Sequence, residues 1–186
     1  MKYSISAIIF AGGKSSRMGQ DKALLPFASY DTLSEFQYER LKSFFFKVYI
    51  SSKSNKFNFD VEVIEDKHKV SSPLVGIISV LEILEAHEVF ILSVDAPFVD
   101  KKIIEKLLAH KGDFDAIIPR SPNGIQPLCG VYKHSILPLA KKQLRENKHK
   151  INDLLDKAKT LFIDFDSDAP FVNLNHPHEY EKALKS

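Results

Sequence analysis

The stretch Ile5-Ser6-Ala7-Ile8-Ile9-Phe10-Ala11-Gly12-Gly13-Lys14-Ser15-Ser16-Arg17-Met18-Gly19-Gln20-Asp21-Lys22 decides the fold class. Residues 5–10 are mostly apolar and β-rich, and the run stops at glycine. Such a run suits a strand buried on both faces of a parallel sheet. The polar segment 14–22 that follows carries the cations Arg17 and Lys22 close to Gly12 and Gly13. Glycines after a strand let the backbone approach a ligand closely, and exposed N–H groups in such a loop can cradle phosphate oxygens. The spacing is neither that of a Walker A loop nor that of the Gly-x-Gly-x-x-Gly dinucleotide turn. Two glycines alone read as a turn. With a buried strand before them and cations after them, they read as a phosphate-binding loop.

Outward from this loop, apolar runs alternate with helical patterns. A helix is expected from about residue 32, with Leu33, Phe36, Leu41 and Phe44 near one face. Residues 47–52 and 61–65 read as strands. Leu74, Ile77, Ile78, Leu81 and Leu84 recur at helical spacing, the strongest helix signal in the chain. Residues 89–94 are again an unbroken apolar strand, ending at Asp95. A short helix (103–109), a strand (116–119), the turn signal Pro122-Asn123-Gly124 and a strand (128–132) follow. Two helical stretches (137–145 and 151–158), a strand (161–165) and a helix after Pro177 complete the pattern. Strand–helix alternation predicts a three-layer α/β fold, Rossmann-like, with a mostly parallel sheet and helices on both faces. Such sheets bind ligands at the carboxyl ends of their strands, where the glycine loop, Ser51-Ser52 and Asp95 fall.

The chain has 186 residues, 44% hydrophobic and 27% charged, with a net charge of +2. That length fits one domain, residues 1–186, with a full core. The interspersed charges call for neither nucleic acid nor a membrane as partner. Cys129 is the single cysteine, which excludes an internal disulfide and a cysteine-based zinc site. No stretch approaches the ~20 apolar residues of a membrane span, and the first apolar run is too short for a signal segment. A cytoplasmic location is expected.

Phe10 to Lys22 resembles the loop signature of the molybdenum cofactor guanylyltransferases (MobA-type), within the sugar-nucleotide-type nucleotidyltransferases: Leu-Ala-Gly-Gly-x-Ser-x-Arg-Met-Gly-x-Asp-Lys. Phe10 departs from it, replacing an aliphatic residue. Further segments match in order: Val63-Ile64-Glu65-Asp66, Ser72-Pro73-Leu74-Val75-Gly76, Ser93-Val94-Asp95-Ala96-Pro97-Phe98, Gln126-Pro127-Leu128-Cys129-Gly130-Val131-Tyr132 and Phe171-Val172-Asn173-Leu174-Asn175. The resemblance spans nearly the whole chain. It implies transfer of GMP from GTP to the terminal phosphate of molybdopterin, with or without molybdenum, releasing diphosphate. Mg²⁺ is the implied cofactor, and molybdoenzyme maturation proteins are further implied partners.

The resemblance implies the site residues too. Phe10, Ala11, Gly12, Gly13, Lys22, Ser51, Asp66 and Asp95 fall at GTP-binding positions. Lys22, Asp95 and Arg17 fall at catalytic ones, with Asp95 as the metal ligand. Gly76, Asn173 and Asn175 fall on the molybdopterin side. From residue type alone, Asp95 reads equally as a turn aspartate before Pro97, and Asp66 shares that ambiguity. Lys22 alone reads as a solvated lysine, and the asparagines as a cap region before Pro177. Asp21 reads as a loop organiser, Cys129 as a small buried hydrophobe, and His176 and His178 as surface residues. Two departures stand out: Ser51 replaces an asparagine that touches guanine in the family, and Ser72 replaces a glycine. A cytidylyl- or uridylyltransferase acting on a sugar or polyol phosphate shares the loop and lysine. A non-catalytic nucleotide-binding module predicts loss of Lys22 or Asp95, and both are present.

Overall fold

The apolar run at the start of the chain forms β1 (Ser6–Phe10), a strand with Ala7, Ile8 and Ile9 fully buried. The computed structural model describes residues 2–12, 19–66 and 72–184. After β1 come α1 (Leu33–Lys42), β2 (Val48–Ser52), β3 (Val63–Glu65), α2 (Pro73–Leu84), β4 (Glu88–Ser93) and α3 (Lys101–Leu108). Then follow β5 (Ala116–Ser121), β6 (Gly124–Ile125), β7 (Cys129–Lys133), α4 (Leu137–Arg145), α5 (Ile151–Leu155), β8 (Thr160–Asp164) and α6 (Pro177–Ala183).

The strands form one sheet in the order β3-β2-β1-β4-β7-β5-β6, with β8 paired to β5. Strands β3, β2, β1 and β4 are parallel, and β8 is parallel to β5. Strand β7 runs antiparallel to both β4 and β5, and β6 antiparallel to β5. The sheet is therefore mostly parallel, as expected, with β6 and β7 reversed.

Alternation along β1 divides the core. Ala7 and Ile9 join the cluster under α1 and α3, with Leu33, Leu41, Ile104 and Leu107. Ile8 and Phe10 join the cluster under α2, α4 and α5, with Leu74, Ile77, Leu81, Ala140 and Leu154. Each such side chain, fully buried, contributes about 1.5–3 kcal/mol. Helix α2 starts where Ser72 Oγ accepts from Val75 N at 3.3 Å with Pro73 at the first turn, and ends at Glu85 in the left-handed region (φ 46°).

Several boundaries differ from the sequence reading. Helix α1 ends at Lys42, so Phe44 lies beyond it; Phe45 is buried and stacked on Phe90, whereas Phe46 is exposed. Helix α5 stops at Leu155, and the short β6 and the 3₁₀ turn Lys22–Leu24 have no periodic signal to announce them. Among the described residues, no helix is long and apolar enough to cross a membrane.

Register places the site. Phe10 lies opposite Ser51 on one side and Ser93 on the other. The three residues form one row at the carboxyl edge of the central strands, and the chain leaves this row into the glycine loop after β1 and into Asp95 after β4.

Candidate active site

Asp95 follows β4 and is held from several directions. Ser93 Oγ donates to its Oδ1 at 2.6 Å, Lys22 Nζ is ion-paired with its Oδ2, and Leu174 N donates to its carbonyl at 2.9 Å. The side chains of Lys22 and Asp95 are only 16% and 13% exposed, so solvent screens this pair far less than a surface ion pair.

Helix α1 positions both partners. At its start, buried Ser34 donates through Oγ to the carbonyl of Ala23 at 2.7 Å, and Leu33 N donates to the carbonyl of Leu25 at 2.7 Å. These bonds fix the turn that carries Lys22. One turn further, buried Gln37 donates through Nε2 to the carbonyl of Val94 at 3.1 Å and reaches that of Ser93 at 3.5 Å. Arg40 donates to Gln37 Oε1 and, at 2.5 Å, to the carbonyl of Val99. Gln37 and Arg40 thus grip both ends of the segment that presents Asp95. Burial pulls the Arg40 guanidinium down to about 10.

The asparagines reach the same place from the chain's other end. Leu174 is buried, which anchors the tight turn between them, where Asn175 N donates to the carbonyl of Asn173 at 3.0 Å. Asn175 Oδ1 accepts from Lys22 Nζ at 3.1 Å. Glu179 accepts from the N–H groups of Asn175 and His176 at 2.7 and 2.8 Å. Burial opposes ionisation of Glu179, but those two N–H groups together with the charges of His176 and His178 hold the carboxyl below its usual range. The cap of α6 is His176 rather than either asparagine, so the asparagine amides are not committed to capping.

Two clefts flank this centre. One, of about 280 Å³, is lined by Phe10, Gly12, Ser51, Ser52, Asp66 and Gly76, among others. The other, also about 280 Å³, is lined by Asp95, Gln126, Cys129, Phe171, Asn173 and Asn175, among others. Ser93 and Leu128 line both, so the clefts share a wall at the end of β4. In the first, Asp66 N donates to the carbonyl of Ser52 at 3.0 Å, and Ser79 Oγ lies 3.4 Å from Asp66 Oδ1.

Lys22, Asp95, Asn173 and Asn175 therefore converge, as do Phe10, Ala11, Gly12, Ser51 and Asp66 around the other cleft; Ala11 N donates to the carbonyl of Ser51 at 3.0 Å. Gly76 does not join Asn173 and Asn175. It lies on α2 facing Phe10, where a Cβ would come within 2.9 Å of Phe10 Cε2. Gly13 and Arg17 lie outside the described residues. Cys129 is buried among apolar neighbours, which pushes its thiol up to about 12.

Sequence reasoning missed Ser93, Gln126, Gln37, Arg40 and Lys56. Ser93 was open to discovery as the last residue of β4. Gln37, Arg40 and Lys56 reach oxygens far along the chain, contacts that leave no local signal, whereas Gln126 bonds locally to Ser121 and Gly124.

A hard divalent cation in a nucleotide site takes one or two carboxylates and completes its shell with phosphate oxygens and water. Among the described residues no group of three or more His, Cys, Asp or Glu could hold a metal. Asp95 with the adjacent Ser93 hydroxyl is the kind of sparse oxygen donor set that fits an ion shared with a substrate triphosphate.

Residues 7–161 match the MobA-like NTP transferase domain. The chain belongs to the MobA-like NTP transferase family. It is 38% identical over 181 residues to the molybdenum cofactor guanylyltransferase of Campylobacter jejuni subsp. jejuni, covering 96% of this chain and 94% of that protein. Its fold is similar to that of molybdopterin-guanine dinucleotide biosynthesis protein A from Archaeoglobus fulgidus (TM-score 0.83, 22% identity, 97% of each chain). It is also similar to that of 2-C-methyl-D-erythritol 4-phosphate cytidylyltransferase from Thermus thermophilus (TM-score 0.70, 14% identity, 98% of each chain). At those identities the structural likenesses speak for the fold alone. As a MobA-like NTP transferase, the chain is a nucleotidyltransferase; in it Asp95, which lines one cleft, is bonded to Lys22 and to Ser93, and Ser93 lines both clefts.

Proposed function

We propose that residues 1–186 act as one unit that transfers GMP from GTP to the terminal phosphate of molybdopterin, with or without bound molybdenum, releasing diphosphate in the cytoplasm. The observation that carries this reading is the place of Lys22, bonded at once to Asp95 and to Asn175 of one cleft, while Asp95 is bonded in turn to Ser93, which lines both clefts. The extended similarity to guanylyltransferases supplies the identity of the substrates.

GTP is assigned to the cleft of Phe10, Gly12, Ser51, Asp66 and Gly76, with the backbone of Ala11 to Gly13 and the side chains of Lys22 and Arg17 on its phosphates. Gly76 moves to this side because it packs against Phe10. The acceptor is assigned to the cleft of Gln126, Asn173 and Asn175, where amide groups can pair donor with acceptor on a polar pterin.

The acceptor phosphate is already ionised near neutral pH, so no strong general base is needed. One of its oxygens attacks the α-phosphorus, the bond to the bridging oxygen breaks, and diphosphate leaves with that electron pair. Catalysis then rests on positioning and charge. Lys22 leaves Asp95 for the phosphate oxygens, and Asn175 keeps its ammonium aimed at the junction. Asp95, braced by Ser93 and by the Gln37–Arg40 pair, holds Mg²⁺. A Mg²⁺ ion held there would supply polarisation of the α-phosphate and offset charge on the leaving group.

The cytidylyltransferase likeness keeps a second reading in view, transfer of CMP or UMP to a sugar or polyol phosphate. Against it stands the amide-lined acceptor cleft. Diphosphate release with Mg²⁺ and each of the four nucleoside triphosphates in turn, over bound molybdopterin, separates the two. GTP alone supporting release is the expected result; preference for CTP or UTP contradicts the proposal.

A further inference from the structure

We propose that Lys56 is a positioning residue that clamps both ends of the phosphate loop and so sets Lys22; the inference rests on the nucleotide assignment above. Lys56 Nζ donates to the carbonyl of Ala11 at 3.1 Å, where the chain leaves β1. The same ammonium is ion-paired with Asp21, at the entry to the turn that carries Lys22. With its other oxygen, Asp21 accepts from Ala23 N at 3.1 Å and caps that turn. One cation therefore joins the residue before the glycines to the residue after the loop.

The clamp is itself anchored. Asn55 N donates to the Glu65 carboxylate at 3.1 Å, and Asn55 Oδ1 accepts from Phe57 N at 3.2 Å. The ring of Phe59 packs on Phe57 and on Tyr38 of α1, with centroids 5.9 and 5.5 Å apart. Lys56 and Asp21 are 23% and 34% exposed, so their attraction is screened less than that of a fully exposed pair. The Lys56 ammonium bonds to two protein oxygens and lies 5.7 Å from the centroid of the Phe57 ring, and Lys53 rather than Lys56 lines the nucleotide cleft. Lys56 thus acts on phosphate through the loop.

Charge gives the test its sign. Loss of a cation near phosphate weakens binding whatever that cation's role, but loss of an anion should by charge alone strengthen it. The clamp predicts that Lys56→Met and Asp21→Asn both weaken binding, by about tenfold, the worth of one charge-assisted hydrogen bond. Asparagine can still cap the turn. Because both changes break the same link, the double variant should be no weaker than the weaker single variant.

Calorimetric titrations of Mg²⁺ with GTP, ATP, CTP and UTP establish which nucleotide the wild type prefers. The variants are then compared on that nucleotide, with turnover at saturating concentration as a second readout. The expected result is weakened binding in both single variants, no further loss in the double, and saturated turnover reduced much less than affinity. Tighter binding by Asp21→Asn, additive losses, or unchanged affinity in Lys56→Met overturns the clamp. A wild-type preference for CTP or UTP overturns the guanylyl reading while leaving the clamp tested on that nucleotide; no binding of any triphosphate overturns both.

Discussion

Lys22 Nζ donates to Asn175 Oδ1 at 3.1 Å across 153 positions of sequence, while the same ammonium is ion-paired with Asp95. The charge assigned to the nucleotide phosphates is thus oriented by a residue assigned to the acceptor cleft. Asn175→Ala removes one acceptor from a charged donor, worth about 1.5–3 kcal/mol. Acceptor KM should rise about tenfold or more, with a smaller loss of GTP affinity transmitted through Lys22. Steady-state kinetics with each substrate varied in turn check this. Equal losses for both substrates, accounted for by a lower melting temperature, would mean that Asn175 only holds the chain in place.

Asp95→Asn separates the carboxylate's charge from its shape. An asparagine can keep partners on both sides, accepting from Lys22 and presenting its amide to Ser93 Oγ. Guanylyl transfer should drop about 100-fold, the scale of losing one preorganised electrostatic contact. Higher Mg²⁺ should recover part of the rate, whereas Lys22→Ala should show no such recovery. Near wild-type turnover of Asp95→Asn at low Mg²⁺ would make Asp95 a turn residue.

Gly76 and Phe10 form a matched pair. A methyl group on Gly76 would meet Phe10 Cε2 at 2.9 Å, closer than real contacts allow, so the ring, which also lines the nucleotide cleft, has to shift. Gly76→Ala should therefore destabilise the fold by about 1–3 kcal/mol, the usual cost of overpacking, and push the ring toward the nucleotide cleft. Phe10→Leu in the same chain should recover both melting temperature and GTP affinity. If the double variant melts no higher than Gly76→Ala alone, the strain lies elsewhere.

Cys129 makes a prediction about pH. Burial raises its thiol from 9.0 to about 12, so the folded chain disfavours thiolate relative to the unfolded chain. The stability this contributes is fully present below pH 9 and is lost as pH rises through about 12. Melting temperature should decline over that window less steeply in Cys129→Ala than in wild type. Native Cys129 should also resist alkylation at pH 8 and react once unfolded. Rapid alkylation of the native chain would show that the thiol is accessible.

The central part of the fold is legible from sequence for a physical reason. Strands β1 and β4 are buried on both faces, so nearly every residue is apolar, and α2 is buried all round from Leu74 to Leu81. Elements held by few local contacts are not legible: β6 has two residues, and the turn carrying Lys22 depends on Ser34 and Asp21. Asp95 and Lys22 stand out only because a motif surrounds them. Gln37, Arg40 and Lys56 look like ordinary polar residues until the fold brings carbonyls to them. Gly76 follows a motif associated with the acceptor, yet its helix faces Phe10, a relationship that exists only in three dimensions.

The most direct test of the guanylyltransferase account is one competition experiment. Wild-type protein with Mg²⁺ receives equal GTP and CTP together with molybdopterin and 2-C-methyl-D-erythritol 4-phosphate, and the products are read by mass spectrometry. The account predicts the guanine dinucleotide of molybdopterin as the dominant product, with an equal amount of diphosphate. A cytidylylated polyol as the dominant product would contradict it.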